Sequence, residues 1–108
     1  MANKVRGEIA ADFDGGKINL ALTTNSICEL EDAAGCGIQE FLSRFEDQEK
    51  IKMKDLRLMF WALMLEEREG ATIKDAGRLI DTLRGEEHRI MTEAVIAAFP
   101  DAEGEPGK

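Results

Sequence analysis

The sequence predicts an α+β fold, in which an N-terminal β-hairpin is followed by a bundle of four to five short α-helices. Apolar residues alternate with polar or small ones through the first 23 residues, and from residue 24 onward they recur at helical spacing. A chain of 108 residues, 44% of them hydrophobic, is long enough for one core. We therefore expect a single domain over residues 1–100 and a disordered tail over residues 101–108.

The hairpin is predicted from two alternating runs that flank a turn. In the first run every second residue belongs to one face: Val5, Gly7, Ile9, Ala11 and Phe13. The second run has the same period: Ile18, Leu20 and Leu22. Asp14-Gly15-Gly16 lies between them and supplies residues that tolerate a positive φ. Because a lone hairpin is marginal in water, later elements or another copy of the chain must cover its apolar face.

Two short helices are predicted next. Ser26 and Glu29 have the spacing of a capping box at the start of the first helix, and Gly35 is a typical end. The second helix has one apolar stripe, formed by Ile38, Phe41, Leu42 and Phe45. Residues 46–54 carry many charges of both signs and are predicted to be a connecting loop.

The third predicted helix is apolar on nearly every side. One stripe contains Leu56, Met59, Phe60, Leu63 and Met64. A second stripe contains Leu58, Trp61, Ala62 and Leu65. Two interpretations follow: a central helix wrapped by its own chain, or a helix that serves both the core and a partner. Complete wrapping is difficult to achieve in a domain this small.

Two further helices complete the predicted bundle. Thr72 and Asp75 have the spacing of a helix start, and Gly85 is the expected end. Gly77 lies inside the apolar stripe of this helix, where a glycine is unfavourable unless a neighbouring helix approaches closely. The last helix carries an apolar face over residues 90–98 and ends before Pro100.

Composition and charge exclude several classes of function. The chain has 14 basic and 22 acidic residues and a net charge of −8, which repels phosphate backbones and anionic lipids, so we expect neither nucleic-acid nor membrane binding. Its longest apolar run, residues 58–65, is far shorter than the roughly 20 residues that cross a bilayer. No signal-peptide pattern opens the sequence, so we expect a cytoplasmic protein in which Cys28 and Cys36 are free thiols.

No residue pattern points to catalysis, a cofactor or a metal. His88 is the only histidine and stands among charged residues, as expected of a solvated side chain. The spacing of Cys28 and Cys36 fits neither a zinc site nor a redox pair. Residues 12–16 lack the distal ligands of a calcium loop, and no phosphate loop or nucleophile elbow is present. We therefore expect a protein that is not an enzyme.

Several segments nevertheless resemble a known family. They are residues 5–8 (VRGE), 14–15 (DG), 27–33 (ICELEDA) with Gly35, 76–81 (AGRLID) and 97–100 (AAFP). Together they are similar to the small tail assembly chaperones of gene transfer agents and related tailed phages, a family whose members are also described as tail tube proteins. The resemblance extends from about residue 5 to residue 100.

The resemblance implies a chaperone in the bacterial cytoplasm that binds the tape-measure protein and promotes tail tube assembly. The tail tube protein is then a second expected partner, and self-association into a homo-oligomer is a further one. Leu58, Trp61 and Leu65 are the predicted partner-binding residues, because the second stripe exceeds what a small core needs. A charged residue at position 61 should abolish binding and leave the fold intact. The alternative is a structural tail tube or tail-completion subunit that stays in the particle and adds strands at the hairpin edge.

Overall fold

A computed structural model describes residues 8–99 and shows a two-stranded antiparallel hairpin followed by five α-helices. This confirms the predicted α+β fold. Val5 and Gly7 of the predicted first strand, and the predicted tail over residues 101–108, lie outside the described residues. The elements are β1 (Ile9–Phe13), β2 (Gly16–Leu20), α1 (Thr24–Ala34), α2 (Ile38–Ser43), α3 (Met53–Met64), α4 (Ile73–Leu83) and α5 (Glu87–Ala98).

The hairpin has a two-residue turn at Asp14 and Gly15, whose φ angles are 56° and 78°. Positive φ at both positions gives a turn whose twist matches that of the flanking strands, and aspartate followed by glycine favours it. The register pairs Ile9 with Leu20 and Phe13 with Gly16. It places one face of the hairpin in the core, as the alternation predicts: Ala11, Phe13, Ile18 and Leu20 are buried.

The sequence left open whether later elements or another copy of the chain cover the apolar face of the hairpin. In the structure, later elements cover it. The ring of Phe13 is buried beneath two guanidinium groups, with Cζ of Arg68 and Arg78 at 5.0 and 5.4 Å from its centroid. Both arginines also lie within 4 Å of the Asp14 carboxylate, at 3.8 and 3.4 Å. After β2, the backbone N–H of Ala21 donates to the Leu63 carbonyl of α3 at 3.2 Å. The hairpin is thus held on the helices at both of its ends.

Helix α1 begins one turn earlier than predicted. Thr23, not Ser26, is its N-cap, since the Thr23 backbone is extended and its hydroxyl accepts from the Ser26 N–H at 3.1 Å. Ser26 lies inside the first turn and is buried. At the other end Gly35 adopts φ 77° and donates to the Glu31 carbonyl, which confirms the predicted C-terminal stop.

The connection between α2 and α3 is more ordered than predicted. It contains a 3-10 helix at Gln48–Lys50, and α3 already begins at Met53, so the prediction of a loop over residues 46–54 was wrong at its end. Asp55 in the first turn of α3 favours this start, because a carboxylate there complements the helix dipole. Arg44 Nη1 lies 3.1 Å from Asp55 Oδ1 and links the end of α2 to α3.

Helix α3 is the centre of the core. Its first apolar stripe is buried as predicted: Leu56, Met59, Phe60, Leu63 and Met64. Ala62, which the sequence assigned to the second stripe, is also fully buried. Helices α1 and α4 and strand β2 all pack against α3. The remaining side of the helix carries Leu58, Trp61 and Leu65, which are half-buried.

Helix α4 begins as the sequence predicts. The Thr72 hydroxyl accepts from the Asp75 N–H at 3.1 Å, and the Asp75 carboxylate accepts from the Thr72 N–H at 2.9 Å. A Cβ added to Gly77 would meet only Arg57 Cδ of α3, at 3.4 Å, which is an ordinary contact with a flexible side chain, so the packing of α4 on α3 does not require a glycine here. The left-handed residues Arg84 and Gly85 then end the helix.

We predict that Asp75→Asn destabilises the fold in a pH-dependent manner. The Thr72 N–H and the Arg78 guanidinium favour the Asp75 carboxylate and lower its pKa. A lowered pKa in the folded state adds stability above the ordinary aspartate pKa, and this stability is lost as the pH falls through the folded value. Urea unfolding should therefore show a less stable variant at pH 7 and a smaller difference near pH 3.

Asp81→Asn on the same helix is the matched control. Among the residues from 8 to 99, the side chain of Asp81 makes no hydrogen bond or ion pair. Its replacement should leave the pH dependence of unfolding close to that of the parent chain. A D75N difference that stays constant between pH 7 and pH 3 would contradict the charge-based account of this cap.

Candidate partner-binding surface

The three predicted partner-binding residues lie together on one side of α3. Leu58, Trp61 and Leu65 are spaced by three and four residues, so their side chains share a face of the helix. All three are half-buried, in contrast to the fully buried first stripe. Two exposed basic residues at the same spacing, Lys54 and Arg57, extend the face toward the start of the helix. We call these five residues the outer face of α3.

Trp61 is held by both an apolar contact and a hydrogen bond. Its ring packs against the edge of the core, and its Nε1–H donates to the Ala71 carbonyl at 2.9 Å. Leu58 also packs against the core, whereas Leu65 lies outside it. Trp61 is therefore held in one position, whereas Leu65 contributes least of the three apolar residues to the packing of the core. Rigid, partly exposed aromatic side chains of this kind are typical anchors in protein interfaces.

The C-terminal half of the outer face borders an acidic groove. Trp61 and Leu65 line an open groove of about 430 Å³ between α1 and the end of α3. Glu29, Glu66 and Glu69 line it as well, and none of its lining side chains is basic. Glu66 Oε1 accepts from the Thr23 hydroxyl at 3.1 Å, which ties this carboxylate to the N-cap of α1. The acidic groove places negative charge beside exposed apolar surface.

The N-terminal half of the outer face borders a basic groove between α3 and α4. This groove has a volume of about 600 Å³ and is lined by Lys54, Arg57 and Lys74 beside the exposed side chain of Met53. One acidic residue, Asp81, also lines it, so the basic side chains outnumber the acidic one. Arg78 lines it too, but hydrogen bonds to Asp75, and attraction to Asp14, raise the pKa of Arg78 and engage its charge. Positive and negative charge thus lie at opposite ends of one helix face.

The charged parts of this surface were not predicted from the sequence. Lys54 was assigned to a loop, although Lys54, Arg57 and Trp61 follow the helical spacing of Leu58 and Leu65. That spacing was a usable signal for the basic end. Lys74 and Glu29 come from α4 and α1, and only the packing of these helices beside α3 brings them to the grooves.

The single histidine and the two cysteines lie in different segments of the fold. His88 is exposed, and its Nε2 lies 3.4 Å from Nε2 of Gln48. Cys28 is an exposed free thiol and Cys36 a half-buried one. Over residues 8–99 no group of three or more histidine, cysteine or acidic side chains is arranged to hold a metal. In the same range, no helix has the length and hydropathy needed to cross a membrane.

Comparison with known proteins identifies a family. A family profile described as "Phage tail tube protein, GTA-gp10" matches residues 6–99, nearly the whole chain. The protein therefore belongs to this family of tail-related proteins of phages and gene transfer agents. No curated protein and no solved structure matches the chain.

We predict that Trp61→Phe destabilises the fold by about 1 kcal/mol, because the Ala71 carbonyl loses its donor. Urea unfolding followed by circular dichroism measures the change. Leu65→Ala on the same face is the control, and it should cost less, about 0.5 kcal/mol, because Leu65 lies outside the core. Equal stability of W61F and the parent chain would show that the indole hydrogen bond contributes nothing.

Proposed function

We propose that this protein is a non-enzymatic tail assembly chaperone that binds the tape-measure protein and promotes assembly of the tail tube. The observation that carries the proposal is the outer face of α3, where Leu58, Trp61 and Leu65 remain half-buried on a helix that is otherwise enclosed. Because the chain belongs to a tail-related family, we expect its partners among tail proteins. The apolar surface of α3 is the part of the protein that would bind them.

The arrangement suits a protein that keeps an aggregation-prone chain in solution. Apolar side chains along one helix face can cover apolar segments of a client, and Trp61 can serve as the anchor. The net charge of −8 then keeps chaperone–client complexes apart, because like-charged particles repel each other. Binding surface and solubilising charge are thus combined in one small protein.

We propose that the protein acts in the bacterial cytoplasm, with the tape-measure protein as its client and the tail tube protein as a second partner. Its acidic surface disfavours nucleic acids and anionic membranes. Binding alone accounts for the proposed role, with no catalytic step.

A structural tail tube or tail-completion subunit is the second candidate, and the description of the matching family favours it. In that role copies would join by adding strands at the hairpin edges. A side chain already engages the β2 edge, where the Asn19 N–H donates to Glu67 Oε1 at 2.6 Å. An edge with an engaged N–H group is a poorer template for strand addition, which supports the chaperone over this mode of assembly.

Co-expression with the tape-measure protein of its own gene cluster tests the proposal. Size exclusion with light scattering should reveal a soluble complex with many copies of this chain per tape-measure chain. Leu65→Glu should weaken the complex at least about tenfold, or about 1.4 kcal/mol, because it places a charge on the apolar face. Ile96→Glu on α5 is the control: Ile96 is 40% exposed, whereas Leu65 is half-buried, and it lies outside the outer face of α3, so this substitution should leave binding unchanged.

Two results would contradict the chaperone. One is a tape-measure protein that stays insoluble while this chain forms rings or tubes by itself. The other is the recovery of this chain at many copies from purified particles. Either result would support the structural subunit.

A further inference from the structure

The charges that flank the outer face of α3 have no partners of opposite sign within the described part of the chain. Lys54, Arg57 and Lys74 make no ion pair between residues 8 and 99, and the same is true of Glu66 and Glu69. Elsewhere in this range opposite charges do meet, as in the pairs Arg44–Asp55 and Arg89–Glu93. Unpaired charges of opposite sign thus lie at the two ends of this surface, as they do at other places on the molecule.

The basic and acidic side chains are separated along the axis of α3. The basic groove lies at the N-terminal end of α3 and the acidic groove lies at its C-terminal end. Leu58 lies between them, and Trp61 lies at the border of the acidic groove. The helix has 12 residues and so a length of about 18 Å. If a second α3 is laid across this face in the antiparallel direction, each basic groove meets an acidic groove and the apolar centres meet each other.

We propose that the outer face of α3 binds the same face of a second copy of this chain, in an antiparallel dimer with two-fold symmetry. A two-fold interface must be complementary to itself, and this face is, because its two halves carry opposite charge. A parallel arrangement would oppose basic to basic and acidic to acidic. The charge pattern therefore favours a second copy of this chain as the partner, with the two α3 helices antiparallel.

The dimer goes beyond the proposed function and does not depend on it. One consequence does rest on that function: the second copy and the tape-measure protein would cover the same side chains, Leu58, Trp61 and Leu65. Binding of the client would then require the dimer to separate, and the dimer would protect the apolar face until a client is available.

Charge reversal tests the dimer directly by size exclusion with light scattering on the full chain. The parent protein should approach twice its monomer mass of 12.0 kDa as its concentration rises. Arg57→Glu and Glu69→Arg should each shift the chain to monomer, with dissociation constants raised at least tenfold. A 1:1 mixture of these two variants should regain the dimer, because both ends of the mixed interface then pair opposite charges. Lys17→Glu on the hairpin makes the same change in charge outside this face and should leave the dimer intact.

Circular dichroism of each variant separates loss of the dimer from loss of the fold. Three results would overturn the dimer: a parent chain that stays monomeric, single variants that still dimerise, or a mixture that stays monomeric. An assembly that grows beyond two copies would overturn the two-fold arrangement. If the dimer forms and the tape-measure protein binds without displacing it, the proposed client site is wrong and the dimer stands.

Discussion

The fold is organised around the burial of α3. Most of the circumference of the helix is enclosed by β2, α1 and α4, and each large side chain buried there contributes about 1.5–3 kcal/mol. The hairpin, marginal by itself, is stable because Ile18 and Leu20 pack into this core. The described chain encloses α3 on every side except one, and the outer face of α3 is the side that remains.

This geometry links the fold to the proposed role. The helix that organises the core is also the helix that presents Leu58, Trp61 and Leu65, so a partner bound there contacts the most rigid part of the protein. Trp61 is fixed by its hydrogen bond to Ala71, which limits the conformational entropy lost on binding. The grooves on either side of the face add charge of opposite sign, which can orient a partner as well as hold it.

The sequence predicted those features that depend on local periodicity. The alternation around Asp14-Gly15, the capping box at Thr72 and the buried stripe of α3 all appear in the structure, because each reflects spacing within one segment. The start of α1 was misassigned, since Thr23 and Ser26 are both able to cap and only the backbone distinguishes them. The grooves could not be predicted, because α1 and α4 contribute Glu29 and Lys74 through the packing of separate helices.

Site-specific photocrosslinking in cells that produce the whole tail shows whether α3 presents the binding surface. A photoreactive amino acid at position 65 samples the outer face of α3, and one at position 96 samples an exposed site on α5. We expect crosslinks from position 65 to the tape-measure protein and to a second copy of this chain, with neither product from position 96. Tape-measure crosslinks from position 96 alone would contradict the claim that α3 presents the binding surface.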